Sequence, residues 1–219
     1  MTQSSVAGAA VYSPLTLALY DAWVLGISNR YAWRCSTHRT LLPFFRSQVG
    51  VRHLDIGVGT GFYPAKSDLP THTQITLMDL NPSSLEAARR RIGRANTRTL
   101  KHDVMAPIPG DERFDSISVF YLLHCLPGPL DAKAAIFGLL KHNLAPGGVL
   151  FGATILGDQA DHNAFGRKLM NIYNSKGIFS NRQDDEAGFQ AHLRKHFRSV
   201  SLKREGCVLM FSASQPIDE

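Results

Sequence analysis

Cysteine is scarce. The 219 residues contain three, Cys35, Cys125 and Cys207, widely spaced and with no Cys-x-x-Cys pair. An odd count at that spacing argues against a disulfide framework or a zinc ribbon and fits a reducing cytoplasm. Long apolar runs are also missing. Residues 15–27 are interrupted by Asp21 and lack a small-residue cleavage site. They predict an amphipathic helix rather than a signal peptide, and no run is long enough to cross a bilayer. Residues 1–10 carry no Lys or Arg. The charge excess is small: Lys plus Arg is 24 and Asp plus Glu 18, a net charge of +6. The one basic cluster is Arg89, Arg90 and Arg91, with Arg94 and Arg98. A nucleic-acid binder concentrates such charge on one face, so nucleic acid is a disfavoured partner. The cluster reads instead as the solvated side of a helix.

What is present is ordinary for a globular chain: 44% hydrophobic and 19% charged residues. Residues 14–30 have helical spacing, with Tyr20 and Trp23 as aromatic anchors. A short helix is expected over 36–48, with Pro43 as a break. After Gly50 short apolar runs alternate with helical ones. Strands are expected at 51–56, 75–79, 98–102, 116–121 and 148–156, with helices at 82–91 and 130–142. That alternation predicts a parallel sheet with helices on both faces. Helices at 161–175 and 184–197 follow, then strands at 200–205 and 208–213, split by Gly206 and able to pair as an antiparallel hairpin. The division is a helical lid over 1–49 and a core over 50–219, with a helical insertion at about 158–180.

The strongest local signal is His53-Leu54-Asp55-Ile56-Gly57-Val58-Gly59-Thr60-Gly61. An apolar strand runs straight into three glycines at alternate positions. Glycine admits positive φ and close approach of a ligand to the backbone. The spacing is wrong for the dinucleotide fingerprint Gly-x-Gly-x-x-Gly, and the Gly-Lys-Ser/Thr of a triphosphate loop is absent. Asp55 adds a carboxylate that repels phosphate and suits a cation. Asp79, about twenty residues on, closes the next strand, where an acid accepts ribose hydroxyls. Its plainer role is to cap the helix that starts at Pro82, alone or with Asn81. Asp103 closes the third strand. Three acids at three successive strand ends, with glycines at the first, favour a nucleoside site over an ordinary turn.

The order of these motifs resembles the class I S-adenosylmethionine-dependent methyltransferases. The glycine segment matches that family's first motif, Leu77-Met78-Asp79-Leu80-Asn81-Pro82-Ser83 its second and Lys101-His102-Asp103-Val104 its third. Phe114-Asp115-Ser116-Ile117-Ser118-Val119 matches the fourth, and Leu144-Ala145-Pro146-Gly147-Gly148-Val149-Leu150 the turn into the fifth strand. The resemblance spans about 50–214. It implies a Rossmann-like seven-stranded, mostly parallel sheet with one antiparallel strand, and S-adenosylmethionine as cofactor, released as S-adenosylhomocysteine. It also implies roles. Gly57, Gly59 and Gly61 pass under the methionine moiety and Asp55 lies near its amino group. Asp79 takes the ribose hydroxyls and Leu80 packs on the adenine. Asp103 and Val104 hold the adenine amino edge, and Phe120 offers a backbone carbonyl to the amine. Asn81-Pro82-Ser83-Ser84 has the look of the Asn-Pro-Pro-Tyr motif of base-flipping amino methyltransferases but follows the second strand, not the fourth, so that chemistry lacks its residues.

Tyr20, Tyr31 and Trp33 resemble the N-terminal lid of ubiquinone and menaquinone C-methyltransferases, which shields the sulfonium and shapes the acceptor pocket. The plainer reading is aromatic glue between helices and sheet. His124, just after the fourth strand, is the candidate general base, or else a structural histidine. His192 and His196 have chelating spacing but no acids or thiols beside them, so no metal is expected. The insertion, with Phe165, Met170, Tyr173 and Phe179 and several asparagines, is the expected wall for a small organic acceptor. The expectation is a cytoplasmic enzyme that methylates O, N or C of a small molecule in specialised metabolism. An RNA or protein substrate, and cyclisation-type chemistry without methyl transfer, stay open. So does the oligomeric state, a homodimer included.

Overall fold

The computed structural model describes residues 21–217, with side chains from residue 25 onward. Tyr20 therefore lies outside the described residues. Two helices come first. Helix α1 (Asp21–Ala32) is wound in wide, π-type turns. Helix α2 begins the same way over Thr37–Leu41 and continues as a regular helix over Leu42–Gln48. Ser36 caps it by accepting the amide N–H of Arg39. Pro43 does not break the chain into two helices. It sits in the first turn of the regular part, where its missing N–H is not needed.

Seven strands form one sheet in the order β3-β2-β1-β4-β5-β7-β6. They are β1 (Arg52–Ile56), β2 (Gln74–Asp79), β3 (Thr97–Lys101), β4 (Phe114–Phe120), β5 (Leu144–Ile155), β6 (Phe197–Glu205) and β7 (Val208–Pro216). The pairs β1–β2, β2–β3, β1–β4 and β4–β5 are parallel. Strand β7 runs antiparallel to both β5 and β6, as the closing hairpin predicts. The connections are helices α3 (Phe62–Lys66), α4 (Pro82–Ile92) and α5 (Leu130–Lys141), then α6 (Ala164–Ser175) and α7 (Glu186–His196) between β5 and β6. This is the Rossmann-like arrangement the sequence implies.

The central strands are buried on both faces, whereas the edge strands β3 and β6 are largely exposed. Charged side chains on the edges, Arg98, Lys101, Lys203 and Arg204 among them, discourage pairing with another chain. Strand β5 starts four residues before the Gly148 expected from sequence. Leu144 pairs with Phe114, the register shifts, and pairing resumes at Val149 with Ser116. The Pro146-Gly147 turn is thus an irregularity inside the strand, not its boundary. Helix α6 starts later than the apolar spacing indicates, because Asn163 caps it by accepting the Gly166 amide N–H at 2.7 Å.

Helix α2 is fixed to the sheet by aromatic packing. Phe45 is fully buried, with Tyr63, Phe120, Phe151 and His53 rings at 5.5, 5.1, 5.5 and 5.4 Å. Burying a phenylalanine stabilises by about 1.5–3 kcal/mol. At the centre of β5 no such side chain fits. A Cβ on Gly152 would stand 2.5 Å from the Val119 carbonyl oxygen and 2.7 Å from the Phe211 ring. Gly152→Ala is therefore expected to destabilise the fold by about 1–3 kcal/mol, the range for overpacking. A urea titration reads this directly, and an unchanged midpoint would refute it.

Candidate functional site

Strand β1 ends in the glycine turn, and the glycines have separate reasons to be there. Gly57 backs onto Leu122, whose side chain would lie 2.9 Å from an added Cβ. Gly59, at φ +50°, has nothing within 4 Å of that position and opens into a cavity. Gly61, at φ +69°, presses against helix α4, where an added Cβ would meet Ala88 at 2.8 Å. A side chain at Gly61 would both strain the backbone and push the turn off the helix.

Asp55 is almost fully buried and sits opposite Ser118 on β4. A hydrogen-bonded chain leads to it. The Gly50 amide N–H donates to Ser116 Oγ, and the Ser116 hydroxyl donates to His53 Nδ1 at 2.8 Å. His53 Nε2 then donates to Ser118 Oγ at 3.2 Å, and the Ser118 hydroxyl donates to Asp55 Oδ1 at 2.5 Å. Burial holds the His53 imidazole neutral, with its pKa pushed down to about 3. Burial also pushes Asp55 up to about 7, against the Ser118 hydrogen bond, which favours the carboxylate. A carboxyl poised there is readily ionised by a cation brought beside it.

Asp79 closes β2. Its carboxylate accepts the Asn81 amide N–H at 2.8 Å and those of Val58, Gly59 and Leu80. Burial raises its pKa and these N–H groups oppose the rise. The acid thus joins the glycine turn to the start of α4, while Asn81 caps that helix through the Ser83 N–H. Asn81 is thus the cap of the helix, and Asp79 lines the cavity. Asp103 lies two residues beyond the end of β3 and accepts the Met105 amide N–H at 3.0 Å.

These groups surround a cavity of about 690 Å³ at the carboxyl ends of the parallel strands. Asp55, Gly57, Gly59, Asp79, Leu80, Asp103, Val104 and Phe120 all line it. Gly61 stands behind the wall. Tyr31 is 56% exposed and Trp33 is 1% exposed, and neither reaches the cavity. Trp33 packs edge-on against His162 and at 6.2 Å from Phe179, which is a wall residue. Among the described side chains of the N-terminal segment, Leu25 is the one that lines the cavity. The resemblance implies S-adenosylmethionine, and the residues fit it. The opening at Gly59 leaves room along the turn, and the carboxylates of Asp55, Asp79 and Asp103 suit an amine, a ribose and an adenine amino edge.

His124 does not reach the cavity wall. Its ring is buried, 4.5 Å from the Phe179 ring. Its Nδ1 accepts the Ile155 amide N–H at 3.3 Å, and burial pushes its pKa down to about 3. With Nδ1 accepting, the proton is on Nε2, so the ring has no free lone pair to act as a base. This geometry is that of a structural histidine. Its carbonyl accepts the Ser180 amide N–H at 2.8 Å, fixing the segment that carries Phe179.

The same segment is held from below by an ion pair that sequence reading missed. Lys133 on α5 donates to Asp184 at 2.5 Å and to the Ser180 carbonyl at 2.7 Å, with both charged side chains essentially unexposed. Asn181 adds a bond from Nδ2 to the Ile155 carbonyl at 2.9 Å. One lysine and one aspartate 51 positions apart give no local pattern to recognise. Among the described residues no group of three or more His, Cys, Asp or Glu side chains could hold a metal. His192 pairs with Asp131 at 2.7 Å instead. Lys133→Met leaves Asp184 buried without a partner and is expected to cost about 3–5 kcal/mol. Lys133→Met with Asp184→Leu is expected to recover most of that loss. Denaturant melts of the three chains check this, and a double variant no more stable than the single would contradict it.

A family model described as a methyltransferase domain matches residues 54–150. The chain is 45% identical to the physcion biosynthesis cluster O-methyltransferase of Aspergillus chevalieri, over 95% of each protein. It is 43% identical to methyltransferase verB of Penicillium polonicum, over 95% of this chain and 98% of that one. Its fold is similar to that of N-methyltransferase NodS from Bradyrhizobium japonicum WM9, solved with S-adenosylhomocysteine. The TM-score is 0.61 at 18% identity, over 91% of this chain and 96% of the other. Identity at the level of the two fungal relatives, sustained over nearly the whole of both chains, makes this protein a member of the class I S-adenosylmethionine-dependent methyltransferases.

Proposed function

We propose that the protein methylates an oxygen, nitrogen or carbon nucleophile on a small organic acceptor with an apolar, aromatic body, as a step of specialised metabolism. The observation that carries this is the mixed lining of the cavity. The carboxylates of Asp55, Asp79 and Asp103 share it with the apolar and aromatic side chains of Tyr121, Leu126, Ile178 and Phe179. The names of the two fungal relatives, one of them assigned to a biosynthesis cluster, support the same reading.

S-adenosylmethionine held there would supply a methyl group on positively charged sulfur, the C–S electron pair returning to sulfur in S-adenosylhomocysteine and the acceptor's proton passing to solvent. The chain's own contribution is binding and orientation. Asp79 takes the ribose hydroxyls in place of some of the amide bonds it now accepts. Leu80, Val104 and Asp103 form the adenine pocket. Asp55 and the Phe120 carbonyl receive the amino group, and Gly57 and Gly59 let the backbone approach the methionine moiety. Holding acceptor, methyl and sulfur in line supplies much of the rate. His124 acts by seating Phe179, and Trp33 by packing on that same ring. Tyr20 and Tyr31 belong to the lid. A cytoplasmic location belongs to this reading, supported by three free thiols and by the lack, among the described residues, of a helix long and apolar enough to cross a membrane.

Two outcomes are expected. Asp79→Ala abolishes micromolar binding of S-adenosylhomocysteine by calorimetry, while the wild-type chain forms that product from S-adenosylmethionine when offered phenols or amines. Wild-type protein that binds cofactor but forms no product with any acceptor would overturn the proposal. The second outcome concerns pH. Asp55 must be ionised to receive an ammonium group, so cofactor affinity falls as pH drops through about 7. Asp55→Asn should flatten that dependence. Ser118→Ala removes a bond that favours the carboxylate and should move the midpoint upward. A flat wild-type profile from pH 6 to 8 would contradict this role.

A further inference from the structure

The basic cluster on α4 reads in the sequence as one solvated face, but its members do different things. Arg90 is exposed and pairs with Glu86, one turn back, at 3.1 Å. Arg94 binds the carbonyls of Leu69 and Pro70. Arg91 turns the other way. Its Nη1 donates to Thr60 Oγ1 at 3.0 Å, and its guanidinium carbon lies 5.2 Å from the Phe62 ring centroid. Thr60 and Phe62 flank Gly61, and both line the cofactor cavity. Gly61 itself is pressed on Ala88, one helical turn before Arg91 and so on the same face of α4.

We infer that Arg91 is a positioning residue for the cofactor turn: its planar fork holds Thr60 and Phe62 so that Gly57–Gly59 and Asp79 meet the ligand in one fixed geometry. The inference rests on the cofactor reading above. Helix α4 contacts the site at both ends. Its N-cap is Asn81, whose amide N–H binds the Asp79 carboxylate, and its last turn carries Arg91. A rigid helix thereby sets the spacing between the ribose acid and the glycine turn. The Phe62 ring also meets the His38 ring of α2 edge-on at 5.9 Å, so the same stack reaches the N-terminal segment. The cofactor is cationic, so a second cation nearby gains nothing by charge. What arginine offers is its shape: one N–H for a hydroxyl and a flat face for a ring.

The test compares Arg91→Ala, Arg91→Lys, Arg90→Ala and Thr60→Val with the wild-type chain. Calorimetry with S-adenosylhomocysteine is expected to show affinity weakened about tenfold in Arg91→Ala, only partly restored in Arg91→Lys, and unchanged in Arg90→Ala. The KM for S-adenosylmethionine should rise in step while kcat stays within about twofold of wild type. Without any ligand, amide exchange in residues 57–62 should quicken in Arg91→Ala and not in Arg90→Ala. Arg91→Ala with Thr60→Val should bind no more weakly than Arg91→Ala alone, because the bond to the Thr60 hydroxyl is among the contacts that Arg91→Ala already removes. An Arg91→Ala affinity within twofold of wild type, or single effects that multiply in the double variant, would overturn the inference. A wild-type chain that does not bind S-adenosylhomocysteine would overturn the cofactor reading along with it.

Discussion

The register between β1 and β4 is the constraint on which the site depends. His53 stands opposite Ser116 and Asp55 opposite Ser118. That pairing makes the hydrogen-bonded chain from Gly50 to the Asp55 carboxyl possible. A slip of one residue would turn every side chain of β1 to the other face, removing Asp55 from the cavity and exposing polar groups to an apolar layer. The same two strands send their onward connections in opposite directions, β1 toward β2 and β4 toward β5. Among the described residues no connection between strands crosses the gap between their carboxyl ends, and the cavity lies there.

Charge is unevenly distributed around that gap. The chain carries a net +6, yet the strand ends present three aspartates. For Asp55 this has a cost. An acid that ionises near 4 in an unfolded chain and near 7 in the fold binds more protons when folded, so its contribution to stability falls as pH rises between those values. The fold is least stable where the carboxylate is charged, which is the state a cationic ligand needs. With pH, stability and ligand affinity therefore move in opposite directions at this residue.

Much of this was legible in the sequence, because strand ends are local. Glycines at alternate positions after an apolar run form a pattern within ten residues, and each acid is marked by the apolar strand that it closes. The alternation of strands and helices indicated a parallel sheet with helices on both faces, but the order of the strands came only with the structure. Contacts made through space were harder to read. His124 occupies a position where a base would serve, but only the Ile155 amide shows that its lone pair is taken. Trp33 and Tyr31 are aromatics two positions apart in the expected lid, yet one is buried under the insertion and the other faces solvent. Arg91 is one of three consecutive arginines, and its neighbour Arg90 faces outward. Nothing in composition separates them. The distinction comes from helical phase relative to Ala88 and the glycine turn. The buried Lys133–Asp184 pair joins elements whose proximity follows from tertiary packing alone.

The position of β7 has a consequence for how the chain assembles during synthesis. It is the last strand in chain order, but it lies between β5 and β6 inside the sheet. Its leading turn also receives the N-terminal segment: the Cys207 amide N–H donates to the Trp33 carbonyl at 2.8 Å, and Glu205 accepts from Thr40. A ribosome adds about 5–20 residues per second. For the several seconds that separate β5 from β7, the nascent chain presents β5 as an unpaired edge, and the helices before β1 have no hairpin to dock on. The cofactor half of the molecule can take shape in that interval. The edge of β5 beside it stays open until the final strand arrives.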